Sequence, residues 1–120
     1  MEMFELLAQS GVVANLKASS KKQALQELSQ QAAALTGLHE RVIFDVLLQR
    51  EKLGTTGIGR GIAIPHGKMQ ELERLHGIFA RLPKPIEFDA IDEQPVDLIF
   101  LLLAPESAGA DHLKALARIS

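Results

Sequence analysis

Val96-Asp-Leu-Ile-Phe-Leu-Leu-Leu103 is an almost wholly apolar stretch that only Asp97 interrupts. Pro95 stands directly before it, a position that suits the start of a strand. A strand with one solvated face would alternate polar and apolar residues, whereas an unbroken apolar run is typical of a strand that helices cover on both faces. We therefore expect an α/β protein in which residues 96–103 form a central strand of the sheet.

The composition supports one domain of this class. The chain has 120 residues, enough for a single continuous core over residues 1–120. Hydrophobic residues make up 47% of the chain, and its aromatic residues are five Phe, without Tyr or Trp. Leu, Ile, Val and Ala must therefore fill the core, which suits helices packed on a sheet better than a small aromatic-rich barrel.

The charge and the cysteine content exclude several classes of function. The net charge is -2 and no basic run alternates with aromatic residues, which argues against nucleic-acid binding. Cysteine is absent, which excludes disulfides and fits a reducing compartment. The longest apolar run, residues 98–104, is shorter than the roughly 20 residues of a membrane-spanning helix. Since the acidic N-terminus lacks the features of a signal peptide, we expect a cytoplasmic protein without membrane insertion.

Two helices are predicted before the glycine-rich middle of the chain. Ser20 and Gln23 form a capping box, and apolar residues then recur at helical spacing until Gly37 ends the pattern. A second apolar face begins near Val42 and ends near Leu53. This second helix carries Arg50 in its last turns.

A third helix is predicted near the end of the sequence. Asp111 is a suitable N-cap, and His112 would lie in the first turn. The residues up to Ser120 allow only about two and a half turns. We expect the helix, and with it the domain, to be incomplete at the C-terminus.

Glycine and proline divide the middle of the chain. Three glycines at positions 57, 59 and 61 predict a loop that leads into a short strand over residues 62–64. Pro65 is expected to end this strand just before His66. Residues 76–82 also resemble a strand, which Pro83 and Pro85 are expected to end before an irregular acidic section over residues 87–94.

Nucleotide and metal sites find no support in the spacing of the motifs. Ile62 stands where the dinucleotide fingerprint and the Walker loop would each require a glycine. Histidine occurs at positions 39, 66, 76 and 112, without the helical pairing or the carboxylate partner of a zinc protease site. We expect no metal and no cofactor.

Taken one at a time, the polar candidates each have an ordinary explanation. His66 could be a simple hydrogen-bonded side chain, and Arg50 could do no more than favour the C-terminal dipole of its helix. His112 could be an exposed first-turn residue, although a helix N-terminus also favours anions. Lys68 and Arg60 could add positive potential around His66, and Glu51 is interpreted as one of many solvated surface charges.

Together, these residues carry a family resemblance. Residues 50–68 read REKLGTTGIGRGIAIPHGK, which resembles the active-site segment of the IIA proteins of the bacterial phosphoenolpyruvate-dependent phosphotransferase system, fructose/mannitol class. The nitrogen-regulatory branch of that family is the most similar. The likeness continues through residues 86–92, 94–106 and 111–117. Arg60 is a departure, because many members have Asn or another neutral polar residue there.

The resemblance implies a fold, an activity and a site. The fold would be a mixed β-sheet flanked by helices on both faces, and the activity that of a phosphocarrier that accepts its phosphoryl group from an HPr-like phosphohistidine protein. A regulatory role is expected; the alternatives are a sugar-transport IIA domain that passes the group to a IIB domain, and an interaction module that is never phosphorylated. The implied site consists of His66 as phosphoryl acceptor, Arg50 and His112 around it, and the backbone of Gly57, Gly59, Gly61 and Gly67.

Overall fold

The structure, a computed structural model, describes residues 11–106. These residues form two helices and a six-stranded mixed sheet. The helices are α1 (Lys21–Thr36) and α2 (Glu40–Lys52). The strands are β1 (Gly11–Val13), β2 (Gly57–Gly59), β3 (Ile62–Ala63), β4 (His66–Met69), β5 (His76–Ile86) and β6 (Val96–Pro105). The predicted third helix, from Asp111, lies outside the described residues.

The strand that the apolar run predicts is β6, and it lies at the centre of the sheet. The strand order is β1-β5-β6-β3-β2, and β4 also pairs with β6, further along it than β3. Strands β3 and β4 run parallel to β6, while β5 runs antiparallel to it. The expected mixed sheet is therefore confirmed.

Burial agrees with this central position. Ile99, Leu101 and Leu103 belong to the core cluster that the two helices share with the sheet. Phe100 and Leu102, which alternate with them and so point to the opposite face, are also buried. Side chains on both faces of β6 are thus removed from water, as an unbroken apolar run requires.

The two predicted helices are confirmed, and local chemistry sets their ends. The side-chain oxygen of Ser20 accepts a hydrogen bond from the backbone N–H of Gln23 at 3.1 Å, and the N–H of Gly37 donates to the carbonyl of Ala33 at 2.9 Å. The second helix begins earlier than its apolar pattern suggested. His39 caps it, with Nδ1 accepting from the N–H of Arg41 at 3.1 Å. Within residues 11–106, no helix is long and apolar enough to cross a membrane.

The glycine-rich segment is a hairpin and not the expected loop. Strand β2 pairs antiparallel with β3, and a bulge lies between Gly57 and Gly59. The turn holds Gly59 at φ 105°, Arg60 at 57° and Gly61 at 78°. Positive φ angles are costly for residues with a Cβ, so the two glycines provide the conformation that the turn needs.

Pro65 does not end extended structure, as the sequence suggested, but separates two short strands. After it, His66 begins β4, which continues along β6 with His66 opposite Leu102. The carbonyl of Pro65 still accepts a hydrogen bond from the N–H of Leu102 at 3.0 Å. Proline removes only one donor, and the backbone on either side of it remains able to pair.

Pro83 and Pro85 lie inside β5 and do not end it, contrary to expectation. The ladder between β5 and β6 is regular up to the pair Arg81 and Leu98, and it resumes only at Ile86 and Val96. The prolines fall in this irregular part of the ladder. A residue without an N–H is tolerated there, because no regular ladder bond is lost.

Candidate functional site

His66 lies where strand β4 begins, half-buried beside the central strand. It follows Pro65 directly and pairs in register with Leu102 of β6. The segment that carries the imidazole is held by backbone hydrogen bonds to β6.

Two hydrogen bonds orient the imidazole of His66. Its Nδ1 lies 2.8 Å from the carbonyl oxygen of Ile64, and its Nε2 lies 3.2 Å from Nε of Arg50. A carbonyl can only accept, so Nδ1 carries the proton, and Nε2 presents its lone pair to the Arg50 N–H. The two contacts together favour a single tautomer, with Nε2 as the nucleophilic atom.

Arg50 reaches His66 from the last turn of α2. Its Nη1 donates to the carbonyl of Gly54 at 2.8 Å, while its Nε donates to the imidazole. These two contacts hold a half-buried guanidinium beside the nucleophile. Arg50 therefore does more than favour the helix dipole, and a guanidinium in this place suits an incoming phosphate or phosphoryl group.

Gly67 permits the close approach of α2 to the strand that carries His66. A Cβ at position 67 would collide with Cγ1 of Val46. Val46 lies one helical turn before Arg50, on the same side of α2. The absence of a side chain at Gly67 thus lets the helix come close enough for Arg50 to reach the imidazole.

We expect the substitution Gly67→Ala to lower the free energy of unfolding by about 1–3 kcal/mol, since it overpacks this contact. The double variant with Val46→Ala should be more stable than the sum of the two single losses predicts, because the alanine at position 46 removes the colliding methyl group. Urea unfolding of the four proteins measures this coupling. Gly11→Ala is the control, since a Cβ there meets Cγ1 of Ile78 at an ordinary 3.8 Å. Additive losses at positions 46 and 67 would contradict the packing argument.

The other glycines of the implied site lie further from His66. The N–H of Gly57 already donates to the hydroxyl of Thr55 at 3.0 Å. A Cβ on Gly59 would meet the carboxylate of Asp92, and one on Gly61 the carboxylate of Asp97. Carboxylates oppose an anion, so the geometry favours a conformational role for the two turn glycines.

Arg60 lies at the hairpin turn and not beside His66. Its N–H donates to Oδ2 of Asp92 at 2.9 Å, and the carbonyl of the next residue, Gly61, accepts from the N–H groups of Asp97 and Leu98. His66 pairs four residues further along β6, roughly 13 Å away at the usual rise of a strand. Asn tolerates the φ of 57° at this position better than most residues with a Cβ do, so an Asn there would need no role at the site.

Lys68 is exposed and lies in the same strand as His66, whereas Arg60 lies at the hairpin turn. Lys68 follows His66 two residues later in β4, and side chains at that spacing point to the same face. His112, the third residue of the implied site, lies outside residues 11–106. Among the residues that the structure describes, no three His, Asp or Glu side chains are grouped so that they could hold a metal ion.

One residue next to the site was misjudged from the sequence. Glu51 was interpreted as solvated, yet it is buried and accepts hydrogen bonds from the backbone N–H and the hydroxyl of Thr56. The spacing of Ile43, Leu47 and Glu51 was the available signal, because residues four apart lie on the same helix face. A carboxylate in line with two core residues is directed toward the core.

Burial lowers the pKa of His66 below the ordinary value of 6.5; the hydrogen bond that Nδ1 donates to the carbonyl of Ile64 opposes this effect, and the charge of Arg50 adds to it. The imidazole is therefore neutral at pH 7. Since the unfolded chain takes up this proton at a higher pH than the folded one, the contribution to stability is present above about pH 6.5 and is lost as the pH falls toward the lower folded value.

We expect the NMR titration of the His66 ring to give a midpoint below 6.5 in the native protein. The variant Arg50→Gln should raise that midpoint, because it removes a nearby positive charge. Heteronuclear spectra of the ring C–H groups, recorded over a pH series, measure both values. A native midpoint above 6.5, or a lower one in the variant, would contradict this account of the site.

The fold and the site together define an α/β protein with a mixed sheet and a neutral surface histidine that an arginine holds in one tautomer. Comparison with known proteins then places it: the chain belongs to the family described as "Phosphoenolpyruvate-dependent sugar phosphotransferase system, EIIA 2", whose family model matches residues 5–120.

Individual relatives come from two kinds of protein. A nitrogen regulatory protein of Bradyrhizobium diazoefficiens is 63% identical over 120 residues, which cover 100% of this chain and 78% of the relative. A fructose-specific EIIA component of Haloferax volcanii is 45% identical over 76 residues, or 63% of this chain and 49% of the relative. The crystal structure of a nitrogen regulatory protein IIA-Ntr from Neisseria meningitidis superposes with a TM-score of 0.85 at 39% identity, covering 95% of this chain and 78% of that one.

Proposed function

We propose that this chain is a regulatory phosphocarrier in which Nε2 of His66 accepts a phosphoryl group from a phosphohistidine of an HPr-like donor protein. The observation that carries the proposal is the pair of contacts at the imidazole, with Nδ1 against the carbonyl of Ile64 and Nε2 against Arg50. They select a neutral tautomer whose lone pair lies at Nε2, beside a cation.

The transfer needs no net movement of protons. Nε2 of His66 attacks the phosphorus in line, the bond from phosphorus to Nε2 forms, and the bond from phosphorus to the donor nitrogen breaks. The donor ring carries a proton on its other nitrogen while it is phosphorylated, so it recovers the electron pair of its broken bond and leaves as a neutral imidazole. Nδ1 of His66 keeps its proton throughout, since the carbonyl of Ile64 holds it in place.

Arg50 stabilises the charge that the phosphoryl group brings. In the unphosphorylated protein its Nε–H is directed at Nε2, so it already points to the position that the phosphorus will occupy. During transfer this donor moves to an equatorial phosphoryl oxygen, while Nη1 stays anchored on Gly54. By resemblance, His112 contributes a second contact of this kind. The charge stabilisation is thus assigned to these side chains, whereas Gly59 and Gly61 serve the turn and Gly67 the close approach of α2.

Regulation is the better supported of the two phosphocarrier roles. The relative that matches the full length of this chain at 63% identity is named a nitrogen regulatory protein. The phosphoryl oxygens would bring about two negative charges to the half-buried ring, which keeps its Nδ1 proton and so carries one positive charge; the net gain is one negative charge. Such a change alters which proteins can dock at the surface around His66, and this is sufficient for a regulatory switch.

Sugar transport remains the second candidate. The likeness to a fructose-specific EIIA component favours it, because that protein is also similar to this chain over 76 residues. In this role the phosphoryl group on His66 would pass to a IIB domain. A pure interaction module is the third candidate, and a neutral, arginine-supported imidazole speaks against it, since simple docking requires no particular tautomer.

A single experiment separates the three roles. The protein is incubated with phosphoenolpyruvate and the purified general phosphotransferase components, the labelled residue is mapped, and purified IIB domains are then offered as acceptors. Regulation predicts an acid-labile label on His66 that stays in place when IIB is added. Rapid loss of the label to IIB would indicate transport. Absence of any label would indicate the interaction module.

A cytoplasmic location and a single-domain organisation over residues 1–120 belong to the same proposal. The lack of cysteine is compatible with a reducing compartment. The match of one family model to residues 5–120 supports one domain.

A further inference from the structure

Glu51 is a buried carboxylate with three donors and no part in the chemistry described so far. Its side chain is 4% exposed, and Nζ of Lys21 lies 2.9 Å from Oε1. The N–H of Thr56 donates to the same oxygen at 3.1 Å, and the hydroxyl of Thr56 donates to Oε2. A carboxylate is rarely buried unless its oxygens accept hydrogen bonds in this way, and the groups that donate to Glu51 are held in place by it.

A continuous line of hydrogen bonds leads from this carboxylate to the imidazole. Thr56, which donates to Glu51 through its N–H, uses its carbonyl to accept the N–H of Ile64 at 2.9 Å. The carbonyl of Ile64 in turn accepts from Nδ1 of His66 at 2.8 Å. Thr56 and Ile64 therefore connect Glu51 with the proton that selects the tautomer of His66. At each of these residues the N–H and the C=O belong to different peptide groups, so the link acts through the position of the backbone.

Glu51 also supports the other side of the imidazole. Its carbonyl accepts the N–H of Gly54 at 3.1 Å, and the carbonyl of Gly54 is the anchor for Nη1 of Arg50. The backbone of Glu51 thus holds the segment that positions Arg50 at Nε2, while its carboxylate holds the segment that positions Ile64 at Nδ1.

Lys21 completes the arrangement from the first turn of α1. Its Nζ neutralises the buried carboxylate and lies 4.8 Å from the centre of the Phe88 ring. The more distant contact of Lys21 with Asp89, at 3.8 Å, is to an exposed carboxylate and is the weaker of the two. The ion pair therefore supplies Oε1 of Glu51 with a second donor beside the N–H of Thr56.

We propose that Glu51 is a positioning residue for phosphoryl transfer, which acts through Thr56 and Ile64 to hold Nδ1–H of His66 in place and so keeps Nε2 as the nucleophile. The proposal rests on the phosphocarrier function of His66. It assigns Glu51 no contact with the donor or with the phosphoryl group.

The test compares four variants. Glu51→Gln keeps the size of the side chain and removes its charge, and Glu40→Gln is the matched control, an exposed glutamate of the same helix. Thr56→Val removes the hydroxyl donor, and Thr56→Ser restores it. Two measurements are made on each protein: nitrogen-15 NMR of the His66 ring without any phosphoryl donor, and single-turnover transfer from a phosphorylated HPr-like protein over a range of donor concentrations.

We expect the native protein, Glu40→Gln and Thr56→Ser to show one tautomer with the proton on Nδ1. In Glu51→Gln and Thr56→Val the ring should populate both tautomers, and the limiting transfer rate should fall about tenfold. The donor concentration at half-saturation should change by less than about twofold, since the docking surface is unaltered.

The outcomes separate a positioning role from a structural one. If folded Glu51→Gln keeps the native tautomer and the native limiting rate, or if it loses only thermal stability, the proposal is overturned. If Glu51→Gln does not fold, the pair Thr56→Val and Thr56→Ser decides, because the two differ in the presence of one hydroxyl. A native protein that takes no label on His66 would refute the proposed function, whereas the NMR of the unphosphorylated ring would still test the link between Glu51 and the tautomer.

Discussion

Phosphorylation is expected to disappear completely when His66 is replaced by glutamine. The amide of glutamine has no nitrogen lone pair available for attack, because that pair is delocalised into the carbonyl. Since the side chain of His66 is only half-buried, the variant should fold as the native protein does. Incubation with phosphoenolpyruvate and the general phosphotransferase components, followed by acid-labile phosphate analysis, measures the loss.

The other described histidines provide the control for this experiment. His76, like His66, has a pKa lowered by burial, with Arg74 contributing, so it is also neutral at pH 7. It has no arginine donor at a ring nitrogen among the described hydrogen bonds. The variant His76→Gln should therefore keep the full label. An acid-labile label that persists in a folded His66→Gln protein would show that another residue is the acceptor.

The substitution Arg50→Gln is expected to slow transfer to His66 by roughly ten- to a hundredfold without removing the acceptor. A charge-assisted hydrogen bond contributes about 1.5–3 kcal/mol, and this one is directed at the atom that forms the new bond. The variant should lose limiting rate, because the contact strengthens as the phosphoryl group arrives. Single-turnover transfer from a phosphorylated donor measures the rate directly.

Arg50→Lys and Lys52→Gln make the test specific. A lysine at position 50 keeps the charge but cannot bind Gly54 and the imidazole at the same time with one planar group, so only part of the rate should return. Lys52 is exposed in the same last turn of α2, and its loss controls for a general effect of positive charge on donor binding. Equal losses in Arg50→Gln and Lys52→Gln would mean that Arg50 acts only as a surface charge.

The helices were predictable because their signals are local. The Ser20 cap, the Gly37 stop and the apolar periodicity between them all act within a few residues, and the structure reproduces them. The start of α2 was predicted too late, because histidine is a less common N-cap residue and His39 was not recognised as one. The central strand was also predictable. An unbroken apolar run needs both faces of the strand to be covered, and the strands in the middle of a sheet are the ones whose faces are most fully covered.

The errors in the predicted strands all concern pairing between segments. The residues from Gly57 to Ala63 form a hairpin because β2 pairs with β3, which in turn pairs with β6. Strand β4 exists only because the chain after Pro65 lies alongside residues 102–105. Pro83 and Pro85 were read as ends of a strand, yet an irregular part of the ladder with β6 accommodates them. No short window of sequence contains the partner strand that decides such cases.

The candidate site divides in the same way. Residues 50–68 and their spacing were enough to point to His66, Arg50 and a phosphocarrier family, since the motif is specific and the family model matches residues 5–120. The tautomer of His66, the proximity of α2 that Gly67 allows, and the burial of Glu51 came only from tertiary structure. They depend on contacts between α2, the hairpin and β4, and these contacts form only after the chain has packed. Helix caps and apolar runs, in contrast, depend on residues that are neighbours in the sequence. Arg60 is an example. It is six residues from His66 in the sequence, yet the hairpin places its neighbour Gly61 beside Asp97 and Leu98, whereas His66 lies opposite Leu102.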